Sequence, residues 1–302
     1  MRIFGQDDGY GEIKVVGDGG QACLASLIRS GAWLELGEGG RENAIYHTED
    51  QPFTIGDGMN VLNTRFDGYE RSAINRVLSM HALLSQGFEE GDTVVTGLPI
   101  RVFFRADGTI NKEAVQARRD SLQIDVRDAR GEVLPKPGKV QVMAQGLAAL
   151  MALEESNVAI LDVGARTMDA AVFQNGQILM ERTGGRNLGV LDMQQRFAGR
   201  IAGKFTAYPL PDHMIYRAFR EGHIRIMGKD VDLEADRGAA IKEVAQTIWQ
   251  EAMGIFHTVE DVDRVLLIGG GAGFLGAPYP HVVVADNPVY ANAKGMYLYG
   301  NG

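Results

Sequence analysis

The stretch Ile160-Leu161-Asp162-Val163-Gly164-Ala165-Arg166-Thr167-Met168-Asp169 decides how the chain is read. Val158 to Leu161 is an apolar run suited to a buried strand, and it leads into an acid, a glycine and a hydroxyl. Such a strand delivers a carboxylate to a tight turn. There Asp162 suits the hydration shell of a Mg²⁺, Gly164 lets backbone N–H groups approach phosphate oxygens, and Thr167 adds a hydroxyl donor. Asp169 opens the next apolar strand, Ala170 to Phe173. Acid-glycine turns also close ordinary hairpins, so one copy does not decide a function.

A second copy stands near the start. Ile3-Phe4-Gly5-Gln6-Asp7-Asp8-Gly9-Tyr10-Gly11-Glu12-Ile13-Lys14-Val15-Val16 repeats the plan of strand, acid, glycine turn and second strand. Two such hairpins, about 155 residues apart, suggest two related half-domains facing each other across a nucleotide. Each turn would then hold one side of the phosphate chain, with Asp7 and Asp162 on the metal and Lys14 adding a point charge if its strand turns it inward.

A third piece is Arg264-Val265-Leu266-Leu267-Ile268, an apolar strand that runs into Gly269-Gly270-Gly271-Ala272-Gly273-Phe274. Consecutive glycines after a buried strand permit close contact with a flat ligand such as a base and its ribose, and expose N–H groups to a phosphate. A flexible turn explains them less well, because each glycine costs backbone entropy on folding.

Together Asp7-Asp8-Gly9, Asp162-x-Gly164-x-x-Thr167-x-Asp169 and Gly269-Gly270-Gly271-Ala272 resemble the phosphate-1, phosphate-2 and adenosine motifs of the actin/Hsp70/hexokinase superfamily. Within it the chain most resembles the bacterial plasmid-segregation actins, the ParM/StbA family. Val95-Thr96-Gly97-Leu98-Pro99, Asn187-Leu188-Gly189-Val190 and the segment from Asn287 to Tyr297 look like further family segments in the family's order.

The resemblance implies an α/β fold of the actin-like (ribonuclease H-like) kind, with two domains and the nucleotide in the cleft between them. It divides the chain into a first domain of 1–155 plus 287–302, carrying a small peripheral subdomain at about 30–65, and a second domain of 156–286. ATP, or alternatively GTP, and Mg²⁺ are the implied cofactors. Asp8, Gly9, Tyr10, Gly11, Lys14, Gly164, Ala165, Arg166, Thr167, Gly189 and Gly269 to Ala272 would touch the nucleotide, while Asp7 and Asp162 would hold the metal through water. Arg166 occupies a position that the family leaves variable, and an interdomain carboxylate is its favoured partner over a phosphate oxygen.

Gln145 falls where segregation actins usually carry a glutamate that positions or activates the attacking water. A neutral amide can orient water but is a very poor base, so hydrolysis is expected to be slow. The alternative is a plain polar residue at a helix N-terminus. The implied function is an ATPase whose head-to-tail filaments separate plasmid or similar DNA through an adaptor protein. Two rivals remain: a sugar or small-metabolite kinase of the same superfamily, and a nucleotide-gated binding protein that forms no filament.

Composition agrees. At 302 residues the chain exceeds one ordinary core. With 45% apolar and 23% charged residues it reads as globular, and its net charge of −9 argues against direct binding to nucleic acid. One cysteine, Cys23, excludes an internal disulfide and suggests a reducing cytoplasm, with the thiol expected to be buried. No apolar run of about 18 residues and no signal-like N-terminus appear, so neither export nor membrane insertion is expected. His, Cys and acids show no transition-metal spacing.

Remaining segments give expectations of structure. Short strands and hairpins are expected over 44–60 with a turn at Gly56-Asp57-Gly58, a helix over 68–87 stopping at Gly87, and a helix capped by Asn111. Arg118 and Arg119 on that helix are expected to face solvent. The spacing also predicts a strand over 140–143, helices over 144–154, 190–203, 213–228, 234–257 and 288–300, and a strand over 178–182. Asp192 and Arg196 are expected to pair on a helix surface.

Overall fold

In the computed structural model residues 1–32, 44–56, 61–153, 155–205 and 209–302 are described. Contacts divide the chain into two compact units, residues 1–156 with 285–302, and residues 157–284.

The first unit opens with a meander, β1 (Ile3–Asp8), β2 (Glu12–Gly17) and β3 (Gly20–Ala25), followed by β4 (Ile28–Ser30), β5 (Ile45–Thr48) and β6 (Gln51–Ile55). Then come α1 (Ala73–Ser85), β7 (Thr93–Leu98), α2 (Ile100–Phe103), α3 (Lys112–Ser121) and β8 (Lys139–Ala144). Its main sheet has the order β3-β2-β1-β7-β8, antiparallel through the meander and parallel from β1 to β8, while β4, β6 and β5 form a small sheet of their own.

The second unit contains β9 (Asn157–Val163), β10 (Met168–Gln174), β11 (Gln177–Ile178), β12 (Gly184–Arg186), α4 (Val190–Ala202), α5 (Asp212–Glu221), β13 (His223–Ile226), β14 (Lys229–Asp232), α6 (Glu234–Phe256), β15 (Arg264–Ile268) and β16 (Val282–Val284). Its sheet runs β11-β10-β9-β15-β16, with β12 also on β10, and it repeats the strand directions of the first sheet. The chain ends in α7 (Ala291–Asn301), which packs on β1 and belongs to the first unit.

Alternation along β1 fixes what lies on each face of the first sheet. Gly5 faces α7, where a Cβ would strike the Ala293 carbonyl and the Tyr297 backbone. Its neighbour Gln6 faces α1 and donates to the Ser79 carbonyl at 3.3 Å. By the same alternation Asp7 shares the face of α7 and Asp8 the face of α1. In the second unit the core joins β9, β10 and β15 to α4, α5 and α6 through residues such as Leu161, Met168, Phe197, Phe219, Ile248 and Phe256.

Several expectations need correction. Residues 144–154 do not form an α-helix: Gly146, at φ +78°, turns the chain, and a 3-10 turn over Ala148–Ala152 follows, with Glu154 outside the described residues. The strand expected over 178–182 ends at Ile178 and passes into a 3-10 turn at Met180–Arg182. The helix over 213–228 stops at Glu221, because Gly222 is left-handed at φ 74°, and a hairpin follows on Met227 and Gly228, both at positive φ.

Asn111 caps α3 as expected, accepting from the Ala114 N–H at 3.2 Å, but Arg118 on that helix is fully buried while Arg119 is exposed. Asp192 accepts from the Gly189 N–H at 2.7 Å, and Arg196 pairs instead with Glu243 on α6 at 3.1 Å. Cys23 is exposed, since β3 is a sheet edge. Residues 57–60 and 33–43 fall outside the described residues, so the expected turn at Asp57-Gly58 does too. No helix among the described residues is long and apolar enough to cross a membrane.

The C-terminal end of α6 is tied down by Arg182. Its guanidinium donates to the Phe256 carbonyl at 2.7 Å and the Thr258 carbonyl at 2.6 Å, and grips Asp261 at 2.7 and 2.9 Å. The hydrogen bond from Arg182 leads in holding the Asp261 carboxyl at about 2. This folded value lies below the unfolded one of about 3.9, so the pair stabilises above pH of about 4 to 5 and the gain is lost as pH falls through the folded value. Arg182→Met should lower stability by about 1–3 kcal/mol at pH 7 in urea titrations. The difference between parent and variant should shrink toward pH 2.

Candidate functional site

The turn between β1 and β2 is built so that its carbonyls face the protein. The Gly9 carbonyl accepts from Ser26 Oγ at 3.0 Å, the Tyr10 carbonyl from Thr64 Oγ1 at 2.7 Å, and the Gly11 carbonyl from the Ser26 N–H at 2.9 Å. In a trans peptide the C=O and the following N–H point in opposite directions. Holding three successive carbonyls inward therefore turns the N–H groups of Tyr10, Gly11 and Glu12 to the other side. The Tyr10 ring is spent on packing against Tyr69, at 5.2 Å between centroids.

On the face shared with α7, Asp7 is buried and accepts from Gln145 Nε2 at 3.1 Å. Gln145 sits in the turn that follows β8, its N–H bonded to the Leu98 carbonyl at 2.8 Å, and its side chain lies over Gly97, where a Cβ would stand 2.7 Å from Gln145 Cγ. Lys14 is opposite Asp7 in the β1–β2 register and is itself buried. Its Nζ lies 3.5 Å from the Glu12 carbonyl oxygen and 3.6 Å from the Glu12 carboxylate. Asp7, Lys14 and Gln145 thus form one group of a carboxylate, a cation and an amide.

Asp8 does not join them. Its carboxylate turns to α1 and α3, accepting from Asn75 Nδ2 at 2.8 Å and Thr96 Oγ1 at 3.0 Å and pairing with Arg118 Nη2 at 3.0 Å. Burial pushes the Asp8 carboxyl up, against the pull of the Arg118 guanidinium and of these two hydrogen bonds. For a ligand Asp8 has only its backbone to offer.

The β9–β10 turn follows the same rule with different partners. The Gly164 carbonyl accepts from the Val190 N–H at 3.1 Å and the Ala165 carbonyl from the Leu191 N–H at 2.9 Å. The start of α4 thereby satisfies two of its own orphan donors. The N–H groups of Ala165 and Arg166 are directed to the opposite side. The Gly164 N–H itself donates to the Thr167 carbonyl at 2.8 Å, so it closes the hairpin. Gly189 packs its bare Cα against the Gly164 and Ala165 carbonyls and gives its N–H to Asp192. Its part is to seat α4 against the turn.

Asp162 and Asp169 are both buried and stand opposite each other in the β9–β10 register, so their carboxylates share a face. Thr167 is buried beside them in the turn. After β15, Gly269 at φ +83° leaves room for the Asp162 carboxylate and the Val163 carbonyl, and Gly271 packs on Val163 and donates to its carbonyl at 2.8 Å. Two of the three glycines serve this close packing, whereas a Cβ at Gly270 would meet nothing within 4 Å. Ala272 is fully buried, and its N–H donates to the Gly269 carbonyl at 3.2 Å.

Among the described residues no group of three or more His, Cys, Asp or Glu side chains converges on a metal-sized position. Asp7 in the first unit and Asp162 in the second are each hard oxygen donors of the kind that suits a Mg²⁺ keeping much of its water. Sequence reading missed Ser26, Thr64 and the start of α4 as the groups that orient the turns. Their only signal was hydroxyl or amide chemistry far along the chain, which no local pattern links to a turn.

A family described as archaeal actin homologue MreB-like, C-terminal, matches residues 160–278. Ta0583, an archaeal actin homologue, superposes with a TM-score of 0.82 at 22% identity, covering 100% of this chain and 99% of its own. The actin-like fold is the one this chain adopts. A ParM filament structure from Clostridium botulinum gives a TM-score of 0.82 at 20% identity, with 99% of each chain covered. Ta0583 in complex with ADP gives 0.80 at 21% identity, covering 100% of this chain and 99% of that one. No curated protein matches the chain.

Within the second unit of this actin-like fold, a groove of about 800 Å³ lies between α4 and α6, lined by Leu188, Gln195, Arg196, Arg200, Glu243 and Thr247 among others. Arg196 and Arg200 each hold one oxygen of Glu243 at 3.1 Å, and with Asp192 also in the lining the two cations are matched by two anions.

The glycines separate into two kinds that stability measurements distinguish. A Cβ at Gly164 would meet only the Thr167 carbonyl at 3.5 Å and its hydroxyl at 3.9 Å. Gly164→Ala should therefore change the unfolding free energy by less than about 1 kcal/mol. Gly269→Ala combines a left-handed φ with a clash on Asp162. It should cost about 2 kcal/mol or more, read as a lower urea midpoint.

Proposed function

We propose that the protein is an actin-like ATPase that binds MgATP at its two acidic turns, hydrolyses it slowly, and couples nucleotide state to filament assembly. The observation that carries this reading is the shared construction of the β1–β2 and β9–β10 turns. Each ends a buried strand, each has a buried carboxylate beside it, and each spends its carbonyls on the protein so that successive N–H groups face away. Amides arranged in this way suit phosphate oxygens. The family matching residues 160–278 and the ADP complex of Ta0583 support a nucleotide as the ligand.

Asp7 and Asp162 would hold Mg²⁺ through water, and the ion supplies charge neutralisation on the phosphate when bound. Lys14 adds a cation next to Asp7. Gln145 donates to Asp7 through Nε2, which fixes its amide and leaves the carbonyl oxygen to accept a proton of the attacking water. An amide orients water without removing its proton, which keeps turnover slow. The groove between α4 and α6 offers a place for the base and ribose.

Loss of the terminal phosphate removes contacts made at the turns and with them the differential affinity that favours one conformation. Head-to-tail contacts that do not close into a ring then give a polymer that nucleotide can assemble or weaken. The filament described for Clostridium botulinum ParM supports self-association. We assign the finer role to the ParM/StbA kind of segregation ATPase, working in the cytoplasm and moving plasmid or similar DNA through a DNA-binding adaptor. The net charge of −9 favours contact with DNA through a basic adaptor over direct contact.

Light scattering and sedimentation with ATP, ADP and no nucleotide test the reading. ATP should raise both, and phosphate release should follow assembly. Gln145→Ala should lower kcat about tenfold or more with nucleotide affinity little changed. Asp162→Asn should weaken binding in Mg²⁺ more than in EDTA. Scattering indifferent to ATP would remove the filament, and a protein that binds no nucleotide would remove the whole reading.

A further inference from the structure

Among the described residues Arg118 is the largest fully buried side chain, on a helix whose other arginine is exposed. At 0% exposure it touches no ligand. Its hydrogen-bond and ion-pair partners Glu70, Asn75, Ser79, Thr96 and Asp8 lie in the first unit. Nη1 donates to the Glu70 carbonyl and to Asn75 Oδ1, both at 2.6 Å. Nη2 reaches Asp8 Oδ2 at 3.0 Å, Thr96 Oγ1 at 3.2 Å and Ser79 Oγ at 3.5 Å.

The directions of these bonds are consistent around the cluster. Thr96 accepts from Arg118 and donates to Asp8 Oδ1, while Asn75 accepts from Arg118 and Ser79 and donates to Asp8 Oδ2. Thr96 and Asn75 therefore each relay one Arg118 bond to the Asp8 carboxylate, Nη2 meets that carboxylate directly, and the remaining Nη1 bond holds the Glu70 carbonyl. A second buried arginine, Arg76, braces α3 from α1 by donating to the Ser121 carbonyl at 2.7 Å, which fixes the helix that carries Arg118.

Such a network is costly to bury, and an apolar cluster of equal volume would hold β1, α1, β7 and α3 together as well. What an apolar cluster would not do is grip the last residue of β1 at both carboxylate oxygens. Asp8 is that residue, and it lies between Asp7, which meets Gln145, and the Gly9–Gly11 turn. Because neighbouring strand residues face opposite sides, locking Asp8 from beneath sets the backbone that aims Asp7 above and starts the turn.

We propose that Arg118, with Thr96 and Asn75, is a positioning residue for the phosphate site: through Asp8 it fixes the direction of the Asp7 carboxylate and of the turn amides. This rests on the nucleotide reading given above. Arginine is required for its planar fork, because a lysine would supply one point charge to a site that uses two nitrogens of fixed spacing.

The test compares the parent with a charge-neutral pair, Asp8→Asn with Arg118→Gln, and with Thr96→Val, which removes one bond to Asp8 at constant volume. Affinity for a fluorescent ATP analogue is measured in Mg²⁺ and in EDTA, alongside kcat, KM and urea unfolding. The neutral pair should keep a cooperative urea transition but lose about tenfold in the gain of affinity that Mg²⁺ confers, with kcat falling by a similar factor and a smaller loss of affinity in EDTA, where the turn amides act without the metal. Thr96→Val should move the same two quantities in the same direction by a smaller factor.

A folded neutral pair with the parent's Mg²⁺ gain and kcat would overturn the proposal. If the neutral pair does not fold, Thr96→Val decides, and parent values for that variant overturn it. A parent that binds no nucleotide defeats the functional reading itself, whereas a parent that binds and variants that match it defeat only the positioning role.

Discussion

A planar peptide that gives its carbonyl to the protein must turn the next N–H elsewhere, and both acidic turns are governed by that constraint. Neither turn is an open loop waiting for a ligand to order it. Ser26 and Thr64 fix one, and the first amides of α4 fix the other, each through carbonyls in succession. The amide direction is thus set by bonds remote from any phosphate. Preorganisation of this sort lowers the ordering cost on binding.

Each sheet carries its turn at an equivalent place. The order β3-β2-β1-β7-β8 and the order β11-β10-β9-β15-β16 have the same sequence of antiparallel and parallel neighbours, with the acid near the end of the central strand. Parallel strands need crossovers and buried faces, which the helices supply. The antiparallel part leaves the hairpin turn at the sheet's end, where a carboxylate and amides can meet a polar ligand. Details diverge between the two copies, since Lys14 and Gln145 stand near Asp7 whereas Asp169 stands opposite Asp162.

Much of the fold was legible because strands and long helices announce themselves by period. Val158 to Leu161, Arg264 to Ile268 and the helix over 234–256 emerge as expected, as does the cap at Asn111. Failures occur where one glycine outweighs a periodic pattern. Gly146 turns the chain where a helix is expected to begin, and Gly222 stops one that is expected to continue, each by a left-handed backbone. Arg118 was misread for another reason. An arginine beside a second arginine on a polar helix looks solvated, and only the fold brings Asp8, Asn75 and Thr96 to it from 110, 43 and 22 residues away. The acids and glycines of the two turns were visible in the sequence, but which carbonyls are held inward was not, because their partners are distant in the chain.

Cys23 is the only cysteine and lies exposed on the edge strand β3, directly across from Lys14. Desolvation by the surrounding strand atoms first, although the side chain reaches solvent, and the Glu12 carboxylate second, push its thiol up to about 11. Little thiolate exists at neutral pH, so adventitious oxidation is slow while a maleimide dye can still be attached at mildly alkaline pH. The protein therefore carries a natural single-site anchor for a fluorophore one strand away from Lys14, without any need to engineer cysteines in or out.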